Sequence, residues 1–243
     1  MKYYYDLHIH SCLSPCGDRD STPDSIAGMG ELNGLNIMAL TDHNSCKNCP
    51  AFFKAAERHN IVPVAGMELT TAEDIHVVCL FPTLESALAF DGEVETRRTL
   101  YKNRKDIFGE QLILNELDEV IGEEENLLIN ATTISLEEVP SLCEKFGGVC
   151  YPAHIDKQSN SVIAVLGAFP ETPKFRFAEL HNRELRDDLA RVTNIPQSRF
   201  IISSDAHYLW DIKEQTDYIE LDGEDLSPDE LRNRLFAYLR GAK

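Results

Sequence analysis

No apolar run in these 243 residues approaches the ~18 needed to cross a bilayer. The opening, MKYYYDLHIH, also lacks the apolar core of a secretory signal. Both absences point to a cytoplasmic protein with no membrane partner. Basic clusters are missing too: 23 Lys and Arg face 41 Asp and Glu, for a net charge of −18. Such a chain repels nucleic acid and anionic lipid unless something local reverses the field, so no extended nucleic-acid binding is expected. Seven cysteines, an odd number without a secretion signal, favour reduced thiols over a disulfide framework. Internal repeats and low-complexity tracts are absent.

What is present is an alternation of β-rich runs and helical patterns. Strands are expected at 3–10, 36–43, 61–70, 74–81, 147–155, 175–182, 199–208 and 217–221. Several are near-continuous apolar runs, as in parallel strands buried on both faces. Helices fall between them. Thr22, Pro23 and Gly34 bracket one over 23–33, and another covers 50–60. The pairs Ser135/Glu138 and Ser227/Glu230 open two more with capping boxes. Strand–helix alternation implies an α/β fold with a parallel sheet. The length suits one barrel-sized domain over 1–243. The acidic stretch at about 83–134 breaks the alternation and reads as an inserted hairpin or lid.

Chemistry enters with the histidines. In a strand, Asp6, His8 and His10 share one face while Tyr5, Leu7 and Ile9 take the other. Alone, that pattern fits a polar strand face as well as a metal site. Likewise TDH at 41–43 occurs by chance in loops, and His76 on an apolar strand suits a core histidine. However, His8, His10, His43, His76, His154 and His207 all lie within or at the end of an expected strand. Glu68 and Asp205 hold matching positions. In parallel α/β barrels the carboxyl ends of the strands form one rim, where active sites are built. So many imidazoles and carboxylates converging there are hard to read as packing, and the donor set suits Zn, Mn or Fe.

The ordered motifs DLHIH (6–10), TDHN (41–44), GMEL with Glu68, HVV after Asp74, PAH (152–154) and SDAH (204–207) resemble those of the PHP (polymerase and histidinol phosphatase) metallohydrolases. The resemblance spans residues 6 to 207 and implies a distorted (β/α)7 barrel carrying two to three divalent ions. By position, His8, His10, Glu68 and Asp205 would hold the first ion. Glu68 would bridge to a second, completed by His76 and His154, and His43 and His207 would hold a third. The third ion's usual His or Asp is replaced by Cys16, with Asp18 the substitute. Asp6 and Asp42 would orient ligand imidazoles.

The reaction this implies is hydrolysis of a small phosphorylated substrate, a phosphomonoester or small phosphodiester. Two ions about 3.5–4 Å apart and sharing a carboxylate activate water and clamp the attacking and leaving oxygens. Their charge would draw an anion to an acidic chain. Catalysis would rest on Glu68, Asp205 and His207, with His207 or a metal-bound water protonating the leaving group. Lys157 and Arg183 are the candidates for a phosphate oxygen. Glu179 and His181 face the rim or its surroundings without being assigned as ligands. Cys46 and Cys49 form a lone CxxC, read as a structural loop, and His59 is a helix-end cation at most. Metal-dependent C–N hydrolysis and a non-catalytic metal-binding PHP module are the competing readings.

Overall fold

Local chemistry sets most element ends. Thr22 Oγ1 accepts the Ser25 N–H ahead of Pro23, and the full Ser227/Glu230 capping box opens the last helix. The structure is a computed structural model describing residues 1–223 and 225–241. In order, it runs β1 (Lys2–Ile9), α1 (Pro23–Leu32), β2 (Ile37–Leu40), α2 (Cys49–Arg58), β3 (Val62–Thr70) and β4 (His76–Phe81). Then come α3 (Leu84–Glu95), α4 (Lys105–Phe108), β5 (Leu112–Leu114), β6 (Val120–Glu123), α5 (Val139–Lys145), β7 (Val149–Pro152) and α6 (Val162–Leu166). The chain finishes with β8 (Ala178–Leu180), α7 (Arg186–Thr193), β9 (Phe200–Ile202), β10 (Tyr218–Glu220) and α8 (Pro228–Arg240).

The fold is mixed α/β with a curled sheet of order β10-β1-β2-β3-β4-β7, and β8-β9 form a separate parallel pair. Ile9 bridges to Ala206, and the Ile155 N–H donates to Glu179 O, so that pair sits between β7 and β1. The sheet is not all parallel as expected. β1, β2 and β3 are parallel, but β4 runs against both β3 and β7, and β10 runs against β1. The reason is length: residues 71–75 are too few for a crossover, so β3 and β4 can pair only as a hairpin. The other departure is at Ser135, where the expected capping box forms a turn and the helix begins at Val139. Pro140 has no N–H to give Leu136 O, so a helix from 136 would lack the rung that follows the Val139–Ser135 bond.

Two apolar layers result. Tyr3, Tyr5, Leu7, Val64, Leu80, Tyr151, Ile201 and Ile219 meet inside the curl, closed from below by Leu231, Leu235, Phe236 and Leu239 of α8. The outer face of the sheet buries Leu40, Met67 and Phe81 under Ile26, Phe52, Phe90 and Cys143 of the helices. The acidic stretch divides in two. α3 packs Ala87, Phe90 and Val94 into the outer core like the other helices. Residues from 96 to 134 stand outside the alternation and contain the β5–β6 hairpin. That part is tied to the rim: Leu112 N–H donates to Cys12 O, and Asn48 bonds both Leu112 and Leu114.

Candidate metal centre

A bulge in β1 aims the first two imidazoles. Asp6 pairs with Met38 and Ile9 with Leu40, which leaves Leu7 and His8 together opposite Ala39. The alternation expected from DLHIH is therefore rephased. Ile9 joins the outer core while Tyr5 and Leu7 stay in the inner one, and Asp6 is parted from the face of His8 and His10. His43 follows β2 and bridges to Glu68 on β3. His76 opens β4 opposite Thr70, so the hairpin delivers an amino-terminal residue to the rim formed by carboxyl ends. His154 and Asp205 follow β7 and β9 with φ of 28° and 53°, a left-handed backbone that non-glycine residues adopt at a cost.

The donors crowd together. His8 Nε2 lies 3.1 Å from His10 Nε2, 3.3 Å from Glu68 Oε1 and 3.3 Å from Asp205 Oδ1. His10 Nε2 lies 3.1 Å from Asp205 Oδ1 and 3.3 Å from Glu68 Oε2. On the other side of Glu68, Oε1 is 2.8 Å from His76 Nδ1 and 3.0 Å from His154 Nε2, which are 3.3 Å apart. His43 Nδ1 is 3.0 Å from Glu68 Oε2. His10, His43 and His207 form a third group whose donor atoms lie within 4.8 Å of one another.

Hydrogen bonds around the cluster decide where the lone pairs point. His8 Nδ1–H donates to Glu179 Oε1 at 2.8 Å, leaving its Nε2 bare. The Ser14 hydroxyl donates to Asp42 at 2.7 Å, so it accepts from His10 Nδ1–H at 3.0 Å and bares that Nε2 as well. In the neutral rings, two such nitrogens 3.1 Å apart between two carboxylates repel unless a proton or a metal cation lies among them. Tetrahedral donors around an ion with bonds of ~2.0–2.1 Å stand roughly 3.3 Å apart, which is the spacing observed. His43 Nδ1, Glu68 Oε2 and His154 Nδ1 are buried without a hydrogen-bond partner. The residues present fit divalent ions.

Without an ion, protons take its place. Burial opposes charge on His10, but hydrogen bonds and attraction to Asp205 and Glu68 outweigh it and raise its pKa to about 9. Burial likewise opposes charge on His43, which Cys16 and Glu68 overcome to bring it to about 9. His8 is raised well above the usual value against its burial by Glu179, Asp205 and Glu68. Glu68 and Asp205, despite burial, are held well below the carboxylate range by the imidazoles. Two imidazoles run the other way: burial lowers His76 despite Glu68, and His207 is pushed down to about 3 by burial and by His10. The His207 Nδ1–H donates to Asp205 O at 2.8 Å, so its Nε2 carries a lone pair.

Several expected roles change hands. Asp6 touches no imidazole; it accepts the N–H groups of Ser204 and Lys213 and holds the turn carrying Asp205. Asp42 reaches His10 only through Ser14. The carboxylate that orients a ligand-type imidazole directly is Glu179, which also takes the His154 N–H. Its place beside an aligned strand, not its sequence motif, reveals this. Cys16 neighbours His43 but is exposed and lies outside the three donor groups, and Asp18 caps its own loop at Asp20. Lys157 Nζ donates to Asp205 Oδ2 at 2.5 Å. Arg183 is engaged by Asp217 and Thr216 O. Cys46 and Cys49 are buried, their thiols directed at backbone carbonyls, in keeping with a structural loop. His59 does more than end a helix: it pairs with Asp24 and Glu31 of α1.

The PHP domain model matches residues 6–139, more than half of the chain. The chain belongs to the PHP domain family. The resemblance read from the ordered motifs stands with that membership. An error-prone DNA polymerase from Symbiobacterium thermophilum is 34% identical over 77 residues, covering 32% of this chain and 7% of the polymerase. A putative metal-dependent phosphoesterase from Bifidobacterium adolescentis superposes with a TM-score of 0.55 at 16% identity, covering 96% of each chain. Endonuclease Q, in complex with a 27-mer duplex bearing an abasic lesion at its active site, superposes with a TM-score of 0.64 at 19% identity. That match covers all of this chain and 57% of the other, so this PHP chain spans little more than half of it. The expectation of a small substrate and no extended nucleic-acid binding is thereby corrected. A fold matching the whole of this chain carries a duplex in endonuclease Q, and net charge averaged over a surface does not describe the field at one rim. No helix among the described residues is long and apolar enough to cross a membrane.

Proposed function

We propose that this chain hydrolyses phosphodiester bonds in nucleic acid with two or three divalent cations. His8, His10, Glu68 and Asp205 would hold one, Glu68, His76 and His154 a second, and His43 and His207 a third. The observation that carries the reading is the pair of bare Nε2 atoms 3.1 Å apart between two carboxylates. The donor set suits Zn, Mn or Fe. When bound, such ions supply Lewis acidity at the phosphoryl group and bring the pKa of water toward ~7.

The chain's residues prepare that chemistry. Glu68 fixes the spacing of the donor groups by facing both with its two oxygens. Glu179 and the Ser14–Asp42 pair lock two imidazoles in the tautomer that points lone pairs inward. Lys157 has ammonium hydrogens beyond the one given to Asp205, available to a phosphate oxygen beside the centre. His207, neutral with a bare Nε2, serves as a ligand or proton acceptor, not as the acid for the leaving group. The β5–β6 segment, tied to the loops at Cys12 and Asn48, would wall one side of the site as a lid. The match to endonuclease Q supports nucleic acid as the substrate class.

The test is cleavage of single-stranded, duplex and abasic-site oligonucleotides by protein loaded in turn with Mn, Zn or Fe. Cleavage of at least one, lost in Glu68→Gln, is expected. No cleavage of any substrate with any metal overturns the proposal.

A further inference from the structure

The turn that follows His207 leaves two aromatic rings in solvent. Leu209 packs against the outer core, while Tyr208 and Trp210 on either side of it are 41% and 73% exposed. The two rings stack with centroids 4.8 Å apart and planes inclined by 17°. An exposed tryptophan is seldom left without a partner, and here a tyrosine holds it flat against one face. Trp210 lies three positions after His207, so their Cα atoms lie within about 11 Å by chain length alone. Asp211, the next residue, lines a cavity of about 700 Å³ that also takes in Lys157, Ser203, Asp205 and Lys213. The Ser203 hydroxyl in that lining is buried without a partner.

We propose that Tyr208 and Trp210 form a stacking platform for an unpaired nucleobase next to the phosphodiester being cleaved. The inference rests on the nucleic-acid reading above and names the part of the substrate that this edge of the site holds. A flat, pre-stacked aromatic face takes any base, because every base has a π-face, and holds the strand without reading its sequence. Placed beside the metal centre, it aligns the backbone so that the neighbouring phosphate meets the ions.

Trp210 is the chain's single tryptophan, so its emission reports this position. The chain loaded with Zn is titrated with a short oligodeoxyadenylate of hydrolysis-resistant phosphorothioate linkages and with a tetrahydrofuran abasic oligomer of equal length and the same linkages. The adenylate is expected to quench the emission, and the abasic oligomer to bind without quenching. Trp210→Ala should weaken adenylate binding about 5- to 100-fold, the range of base–aromatic stacking, and Trp210→Phe should recover most of it. Adenylate binding, followed by anisotropy of a labelled oligomer, without quenching overturns the platform, as does equal affinity in Trp210→Ala. Absence of quenching at any concentration overturns it too. Because these readouts need no cleavage, a chain that quenches but never cleaves natural oligonucleotides keeps the platform and loses the hydrolase reading. A chain that cleaves without quenching does the reverse.

Discussion

The two ends of β1 make opposite use of the same burial. Tyr3, Tyr5 and Leu7 at the amino end are packed against apolar residues of α8. His8 and His10 at the other end are just as buried but face carboxylates and each other. Apolar burial is non-directional and tolerates repacking, whereas buried nitrogens and carboxylates are stable only when every lone pair and proton is matched. The floor of the curl therefore supplies stability and the rim holds unmet demand, which a cation satisfies. One extra residue in β1 marks the border between them.

That contrast can be broken from either side. Glu68→Gln should have the largest effect, replacing one of the two oxygens shared by the donor groups with an amide and removing their charge. Metal content by elemental analysis should fall sharply and hydrolysis should drop by more than about 100-fold, beyond the loss expected for an outer partner. Leu235→Ala, at the floor, should cost about 2–5 kcal/mol in denaturant unfolding and leave the metal stoichiometry unchanged. If it also released metal, rim and floor would not be separable. Glu179→Gln should weaken metal binding about 10- to 100-fold with little change in stability, read by competition with a chromogenic chelator.

The smallest effect per step is that of pH. In metal-free protein, His10 and His43 have pKa values raised to about 9, above the unfolded value near 6.5. Their protonated forms pair with Glu68 and Asp205. The stability they add is full below about pH 6.5 and is lost as pH rises through about 9. Metal binding must expel those protons, so affinity should rise with pH by about tenfold per unit for each proton released. Chelated protein should therefore lose stability between pH 6.5 and 9 while metal-loaded protein does not, as measured by thermal unfolding at each pH.

Much of the rim was legible because each motif sits at a strand end, and strand ends are readable from apolar runs. His43, Glu68, His154 and Asp205 were found in that way. Asp6 was misread because a bulge is invisible in an alternating pattern: one residue more in β1 moves every later side chain to the other face. Glu179 was underrated because its partner His8 is 171 residues away, and nothing local distinguishes a carboxylate that meets an imidazole from one that meets water. Arg183 was expected at a phosphate, but Asp217 claims it across a contact that the sequence does not display. The substrate expectation erred for a related reason, since composition averages charge over the whole surface while a site feels only its neighbours.

By itself the sequence determined the α/β alternation, the helix caps at Thr22 and Ser227, and the inventory of imidazoles and carboxylates at strand ends. These depend on local periodicity and on hydrogen bonds a few residues long. Tertiary structure alone decided that β4 would run backwards, that His8 and His10 would bring bare nitrogens to 3.1 Å, and which carboxylate would hold each ring. Those facts depend on distances between residues far apart in the chain, which are set only when the whole sheet curls and its packing chooses one register.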